Sequence, residues 1–220
     1  MYPVCLNISG RLCVVVGGGT VAERKINGLL AEKALVKVIS PQLTSGLAGL
    51  VKEHACRWQQ KKYASGDLTG AFLVFAATDS PEIQQQISGD ADRLGIPVNV
   101  IDSPGQCSFQ VPATVQRGDL ILAVSTSGKS PAVAAMVRHR LEDQYGPEYG
   151  LLLQLMGRLR GEVIAAASTA AKRKILFQNI LHDDIVEWIR EGRWDRVQDH
   201  LHKILGPDMD FDISQLGTGV

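Results

Sequence analysis

The stretch RLCVVVGGGTVAERKINGLL, residues 11–30, contains the signals that decide the fold. Leu12–Val16 is an apolar run rich in β-branched residues, which is typical of a strand buried on both faces of a parallel sheet. Three glycines interrupt the run at Gly17–Gly19, and from Thr20 onward apolar residues recur at helical spacing. The stretch therefore predicts a strand, a tight turn and a helix, in that order.

The glycine turn matches the dinucleotide-binding pattern G-x-G-x-x-A at Gly17, Gly19 and Ala22. In this pattern Gly17 permits the tight turn, Gly19 lets the backbone approach a pyrophosphate, and Ala22 lets helix and strand pack closely. The phosphates would lie against free N–H groups at the helix N-terminus, where the helix dipole favours negative charge. A glycine-rich turn without a ligand is the alternative, but the strand–turn–helix context favours binding.

The composition of the 220-residue chain argues against several classes of partner. Lys and Arg together number 23, as do Asp and Glu, so no overall field attracts nucleic acid or a membrane surface. We find no apolar run of membrane-spanning length and no signal peptide at Met1, and we expect a cytoplasmic protein. The four cysteines form no C-x-x-C pair, which indicates reduced, structural thiols.

Strand and helix signals alternate through the first half of the chain. Further strands are predicted at Leu35–Ile39, Arg57–Lys61 (an edge strand), Phe72–Ala76 and Val98–Ile101, with helices at about 42–54 and 81–94. This rhythm predicts an α/β fold with a Rossmann-type, doubly wound parallel sheet, which holds ligands beyond the C-terminal ends of its strands. Residues at those ends are Thr20, Pro41, Gln42, Thr78, Asp79, Asn99 and Asp102.

One part of the dinucleotide pattern is absent. The second strand ends in Ile39-Ser40-Pro41-Gln42, with neither the acid that binds a ribose 2′-OH nor an Arg for a 2′-phosphate. Backbone groups, Ser40 or Gln42 would then have to hold the ribose. The missing cation favours NAD over NADP.

After Asp102 the pattern changes to a hairpin and then to helices. Strands at Ser108–Gln116 and Leu120–Ser125 are predicted to form the hairpin, and a helix at about 132–145 follows. From Glu148 onward, apolar residues recur at helical spacing. We predict an NAD-binding domain at 1–113, a hairpin–helix unit at 114–147, a small all-helical domain at 148–206 and a flexible tail at 207–220.

A hydroxyl-rich segment precedes the helix after the hairpin. It comprises Ser125, Thr126, Ser127, Gly128, Lys129 and Ser130. Ala123 stands where a phosphate-binding P-loop requires its first Gly, which disfavours a kinase or NTPase. Hydroxyls, a lysine and free N–H groups at a helix start could still bind carboxylates or phosphate. A capped helix with solvated serines is the alternative.

Five stretches together resemble the siroheme synthase dehydrogenase family, the precorrin-2 dehydrogenases. They are Tyr2-Pro3-Val4 with Arg11, GGGTVAERK at 17–25, AATDS at 76–80, NVIDSPGQCSFQVPA at 99–113 and AVSTSGKSP at 123–131. A single glycine motif would be weak evidence, whereas this ordered set extends to about Gly206 and is specific. The resemblance implies NAD-dependent oxidation of precorrin-2 to sirohydrochlorin, followed in some members by insertion of Fe²⁺. The chain is similar to the form that lacks a methyltransferase domain.

The resemblance also assigns roles by position. Thr20-Val21 and Pro41-Gln42 match the positions that line the cofactor in the family. With the glycine turn (Gly17, Gly18, Gly19) from the dinucleotide pattern and Thr78-Asp79 at the end of a strand, they are the predicted cofactor site. Asp102 matches the family's essential aspartate, implicated in dehydrogenation and, in chelating members, in handling the metal. A carboxylate there could take the proton that leaves after hydride loss, although Asp102 also precedes a good turn sequence, Ser103-Pro104-Gly105. The family's hairpin and helix form a homodimer interface.

Two other classes remain as alternatives. A non-catalytic NAD-sensing regulatory domain would share the sheet but would not need Asp102. A short-chain dehydrogenase would need a Tyr-x-x-x-Lys pair, which is absent because Asp67 follows Tyr63 and Tyr149 follows Tyr145 at that spacing. The five histidines show no metal-ligand spacing and are expected to be solvated, so no metal ligand beyond Asp102 is predicted.

Overall fold

The chain divides after Val111 into two compact units. The structure, a computed structural model, describes residues 1–182 and 184–207. The predicted flexible tail at 207–220 lies, beyond Pro207, outside the described residues. The predicted boundaries within the chain stay predictions.

The first unit contains a five-stranded parallel sheet with the strand order β3-β2-β1-β4-β5. The strands are β1 Leu12–Val16, β2 Leu35–Ile39, β3 Arg57–Gln59, β4 Leu73–Ala76 and β5 Val98–Val100. The chain moves from β1 to one edge of the sheet and then returns to the other side of β1. This order confirms the doubly wound prediction, with β3 at an edge, and places a ligand crevice at the C-terminal ends of β1 and β4.

Three helices cover the two faces of this sheet. They are α1 Thr20–Ala31, α2 Ser45–Lys52 and α3 Pro81–Leu94. Ile26 of α1 and Leu47 of α2 are fully buried against alternate residues of β1, Cys13 and Val15. Ile87 of α3 packs on the opposite face. Burial on both faces explains why β1 has no alternating polar residues.

The first strand of the hairpin was predicted to begin at Ser108, and this start was wrong. Ser108 exchanges backbone and side-chain hydrogen bonds with Val98 of β5, and the Phe109 ring meets Phe75 edge-on at 5.4 Å. Because these residues are fixed on the first unit, the hairpin strand begins only at Ala113.

The second unit begins with that hairpin. Strands β6 Ala113–Arg117 and β7 Leu120–Val124 pair antiparallel, and α4 Pro131–Gln144 follows. Among its described residues four more helices follow: α5 Glu148–Ala166, α6 Ala170–Ile180, α7 Ile185–Arg190 and α8 Trp194–Leu205. Their apolar residues form a separate core, with Leu155, Leu159 and Leu201 fully buried. The described helices include none long and apolar enough to cross a membrane.

Candidate functional site

The glycine turn is enclosed by the ends of neighbouring strands. Gly17 has a φ of +133°, and a Cβ built there would lie 2.0 Å from the Ala77 carbonyl oxygen. A Cβ on Gly18 would lie 1.9 Å from the Gln42 carbonyl oxygen. The Gly17 N–H donates to the Ile39 carbonyl at 2.9 Å. The first two glycines are therefore required by close backbone packing.

Gly19 differs from its two neighbours. It precedes α1 with a φ of −85°, and a Cβ built on it would meet no atom within 4 Å. No side chain caps the first turn of α1, so the N–H groups there are available to a ligand. Open space beside free N–H groups at a helix N-terminus fits a pyrophosphate.

The turn forms the floor of a cleft of about 520 Å³. The structure brings all the predicted cofactor residues to this cleft, with parts of the β2–α2 and β4–α3 loops. The lining residues are Gly17, Gly18, Gly19, Thr20, Val21, Ser40, Pro41, Gln42, Leu43, Thr44, Ala77, Thr78 and Asp79. These residues include one acid and no Lys or Arg.

The β2–α2 loop shows which groups remain for a ribose. The Ser40 hydroxyl donates to the Gln42 carbonyl at 2.6 Å, and the Ser40 carbonyl accepts from the Trp58 indole at 2.9 Å. Ser40 is thereby committed to its own turn, whereas the exposed Gln42 amide makes no side-chain hydrogen bond within the described part of the chain. The Thr44 hydroxyl donates to Glu23, a link between α1 and α2 that sequence reasoning missed.

Asp102 lines a second cleft of about 310 Å³. This cleft shares four residues with the first and continues to the end of β5. Its lining is Val21, Ala77, Thr78, Asp79, Gln84, Ile101, Asp102 and Ser103. The Asp102 carboxylate is exposed and has no hydrogen bond or ion pair with any described residue. Asp102 also has a φ of +57°, so it is both the predicted turn former and a cleft residue.

Burial changes the ionisation of two groups in the first unit. It raises the pKa of the Cys13 thiol to about 11, which keeps this buried residue protonated and unreactive. Burial, helped by the neighbouring Arg24, lowers the pKa of Lys25, whose ammonium lies 5.7 Å from the centre of the Phe75 ring. Cys107 is a packing residue as expected, with Sγ 3.2 Å from both the Val100 nitrogen and the Val100 oxygen.

The predicted anion segment belongs to the second unit. The Thr126 hydroxyl donates to the Ser130 carbonyl at 3.0 Å, and the Ser130 hydroxyl caps α4 by accepting from the Val133 N–H. The Ser125 hydroxyl accepts from the Ser127 N–H at 3.2 Å, so three of the four hydroxyls stabilise the turn and the helix. Lys129 is exposed and has no partner among the described residues. Ala123 lies in β7, as expected if this is not a P-loop.

The described residues contain no group of three His, Cys, Asp or Glu that could hold a metal ion. The rings of His182 and His200 cluster with Trp188 at centroid distances of 5.2–5.7 Å. His200 Nε2 also lies 3.1 Å from the Asn179 carbonyl. His182 stays exposed as expected, whereas His200 is half-buried.

The fold and the two clefts define a Rossmann-type dinucleotide-binding protein, and family models agree. A model described as putative NAD(P)-binding matches residues 4–113. Models for the sirohaem biosynthesis protein central region and the sirohaem synthase dimerisation region match residues 117–144 and 148–205. The chain belongs to the siroheme synthase family, as its motifs predicted.

Similar proteins extend this result. A siroheme synthase of Azotobacter vinelandii is 37% identical over 191 residues, which are 87% of this chain and 41% of that protein. One from Methylobacillus flagellatus is 35% identical over 203 residues, covering 92% of this chain and 44% of that protein. The chain thus spans less than half the length of these curated relatives. A solved structure titled SirC, precorrin-2 dehydrogenase, superposes with a TM-score of 0.71 at 26% identity, covering 90% of this chain and 100% of that one.

Proposed function

We propose that this chain catalyses the NAD-dependent oxidation of precorrin-2 to sirohydrochlorin in siroheme biosynthesis. Family membership and the similarity to the SirC precorrin-2 dehydrogenase structure support the reaction. The observation that carries the proposal is the position of Asp102. Its unpaired carboxylate lies in a cleft that shares four lining residues with the dinucleotide cleft.

The cofactor cleft fits NAD. Gly19 leaves room for a pyrophosphate, and the first turn of α1 offers uncapped N–H groups to it. A 2′-phosphate on NADP would find no Lys or Arg among the lining residues, whereas the Gln42 amide and main-chain groups can hold a ribose hydroxyl. These features support NAD as the preferred cofactor.

The reaction removes two electrons and two protons from the reduced tetrapyrrole, as one hydride and one proton. Bound NAD supplies the acceptor for the hydride. Asp102 accepts the proton, because an exposed carboxylate with no competing partner is free to form a hydrogen bond to the substrate. Before that transfer, its negative charge stabilises the cationic macrocycle.

Two further features of the proposal concern substrate and assembly. We assign the substrate's carboxylates to the segment Ser125–Ser130, where Lys129 and the Ser127 hydroxyl remain available. We assign a homodimer to the regions matched by the central and dimerisation models. Insertion of Fe²⁺ stays a prediction of the family resemblance.

Anaerobic turnover of precorrin-2, with NAD or NADP as acceptor, tests the activity. We expect sirohydrochlorin and NADH in equal amounts and a lower KM for NAD than for NADP. Asp102→Ala should bind NAD like the wild type but lose about two orders of magnitude in kcat, the usual scale for a positioned acid–base group.

Two results would contradict the proposal in different ways. Near-normal turnover by Asp102→Ala would remove this residue from the mechanism. A wild-type chain that binds NAD but never reduces it with precorrin-2 would favour the NAD-sensing alternative.

A further inference from the structure

The Gln84 side chain links α3 to the β4–α3 loop and to the turn around Asp102. It lies in the first turns of α3 and is half-buried. Its amide nitrogen donates to the Thr78 carbonyl at 2.7 Å and to the Ile101 carbonyl at 3.4 Å. Its amide oxygen accepts from the Ser103 hydroxyl at 3.3 Å. One side chain therefore contacts the β4–α3 loop and both residues that flank Asp102.

The Asp102 turn needs such support. A φ of +57° is unfavourable for a residue with a Cβ, although Asp tolerates it better than most residues. Backbone hydrogen bonds fix the turn only at its two ends: Ile101 N–H donates to Ala76 at 3.0 Å, Ser103 N–H donates to Val100 at 3.4 Å, and the Ser103 carbonyl accepts from Gln106 N–H at 3.0 Å and from the Cys107 thiol at 3.4 Å. The Asp102 side chain makes no hydrogen bond or ion pair to any residue in 1–182 or 184–207 that would hold it. Its direction is therefore set by the residues on either side, both of which Gln84 contacts.

We propose that Gln84 is a positioning residue that holds the Asp102 carboxylate toward the neighbouring dinucleotide cleft. The proposal rests on the proposed function, because a positioned carboxylate matters only if Asp102 acts on the substrate. The claim that Gln84 fixes the position of the Asp102 turn can be tested without measuring activity. Gln84 fixes the distance between the β4–α3 loop, which carries Thr78 of the cofactor cleft, and the Asp102 turn.

Gln84→Glu is the sharpest variant. It keeps the size and the acceptor for Ser103 but removes both donated hydrogen bonds to the carbonyls. We expect kcat to fall about 10- to 100-fold, the effect of a small misplacement of a reacting group, with little change in the KM for precorrin-2. Gln85→Glu, which adds the same charge at an exposed neighbour, should stay within about twofold of the wild type.

A double-mutant cycle separates positioning from a general structural defect. If Gln84 acts through Asp102, adding Gln84→Glu to Asp102→Ala should lower kcat no further. If the double variant instead lost kcat by the product of the two single-variant factors, the positioning role would be overturned. Gln84→Asn, which retains the amide on a shorter side chain, should recover part of the activity lost in Gln84→Ala.

Hydrogen exchange measures the turn without turnover. In Gln84→Ala, we expect the amides of 101–103 to exchange at least about tenfold faster, while β1 and α1 keep their protection. Unchanged exchange at the turn would refute the positioning role even if the enzyme is active. Absence of turnover in the wild type would instead refute the proposed function, so the two failures are distinguishable. Faster exchange throughout the first unit would assign Gln84 to global stability and also overturn the proposal.

Discussion

At the scale of single residues, the glycines of the turn separate what the fold requires from what a ligand requires. A side chain on Gly17 would collide with the backbone of Ala77, and the positive φ adds strain. A side chain on Gly19 would enter empty space with an ordinary φ. The two positions predict opposite experimental outcomes.

Gly19→Asp should abolish NAD binding and leave the thermal unfolding midpoint close to that of the wild type. The added carboxylate would occupy the space for the pyrophosphate and repel its charge, while its Cβ would meet no atom of the protein within 4 Å. Calorimetric titration with NAD and a thermal melt measure the two effects.

Two further variants serve as controls for this prediction. Gly17→Ala should destabilise the protein itself, because the Ala77 carbonyl must move. Gly19→Ala should fold normally and weaken NAD binding less than Gly19→Asp does. Unaltered NAD affinity in Gly19→Asp would show that the glycine turn is purely structural.

The candidate site was only partly predictable at this scale. Gly17, Gly19 and Asp102 belong to recognisable patterns, and the structure places them in adjoining clefts. Gln84 and Glu23 carry no such signal, because a glutamine or glutamate on a helix is usually a solvated surface residue. Their importance comes from carbonyls and hydroxyls of distant segments, which only the folded chain brings near them.

At the scale of elements, α3 is fixed to the loop after β3 by a buried carboxylate. Asp90 is 4% exposed and accepts hydrogen bonds from the Tyr63 hydroxyl at 2.7 Å and the Ser65 hydroxyl at 3.1 Å. The hydrogen bond from Tyr63 is the main cause that holds the pKa of Asp90 below its usual value. Arg93, one turn further along α3, pairs with the same carboxylate.

Tyr63→Phe should lower the free energy of unfolding by about 1–3 kcal/mol at pH 7, because it removes a hydrogen bond from a buried charged group. A depressed folded-state pKa contributes stability above the unfolded-state pKa of about 3.9, and that contribution disappears as the pH falls through the folded-state value. The difference between variant and wild type should therefore shrink below pH 4.

Urea unfolding at neutral and acidic pH measures this prediction. Tyr2→Phe removes the same hydroxyl from a side chain that is 88% exposed and should change nothing. A stability difference for Tyr63→Phe that is constant from pH 7 to pH 3 would exclude a charged Asp90 as its source.

The order and type of the elements were predictable, whereas several of their ends were not. Alternating apolar runs and caps indicated every described strand of the sheet, and Gly95 ended α3 as expected. The predicted helix at 42–54 is shorter in the structure because the Thr44 side chain accepts from the Leu47 N–H and starts α2 at Ser45. Tertiary bonds, such as those of Ser108 with Val98, decided the remaining ends.

At the scale of the whole molecule, positive and negative charges balance, so the binding of an anion depends on the few charged groups next to its site. Equal numbers of acidic and basic residues leave no overall field to attract a polycarboxylate. Exposed cations without partners, such as Lys129, must then supply the attraction, and salt should screen it.

Lys129→Ala combined with Ser127→Ala should raise the KM for precorrin-2 several-fold and leave NAD affinity unchanged. An exposed charged hydrogen bond contributes about 1 kcal/mol, which sets this scale. Added salt should raise KM less in the variant than in the wild type, because one screened attraction is missing. Steady-state kinetics at two ionic strengths measures both effects.

Lys203→Ala is the matched control, since it removes one exposed lysine from the same unit. It should leave both KM and its salt dependence as in the wild type. If the double variant behaves like this control, Ser125–Ser130 is only a helix cap and the substrate's carboxylates are bound elsewhere.

The different surroundings of Gly17 and Gly19 also predict how each position changes during evolution. Selection for a foldable protein is enough to preserve Gly17, because its neighbour is the protein's own backbone. Only selection for a bound dinucleotide preserves Gly19, because nothing in the protein touches that space. A group of related proteins that keeps the glycine at position 17 but varies the one at position 19 would therefore have kept the fold and lost dinucleotide binding.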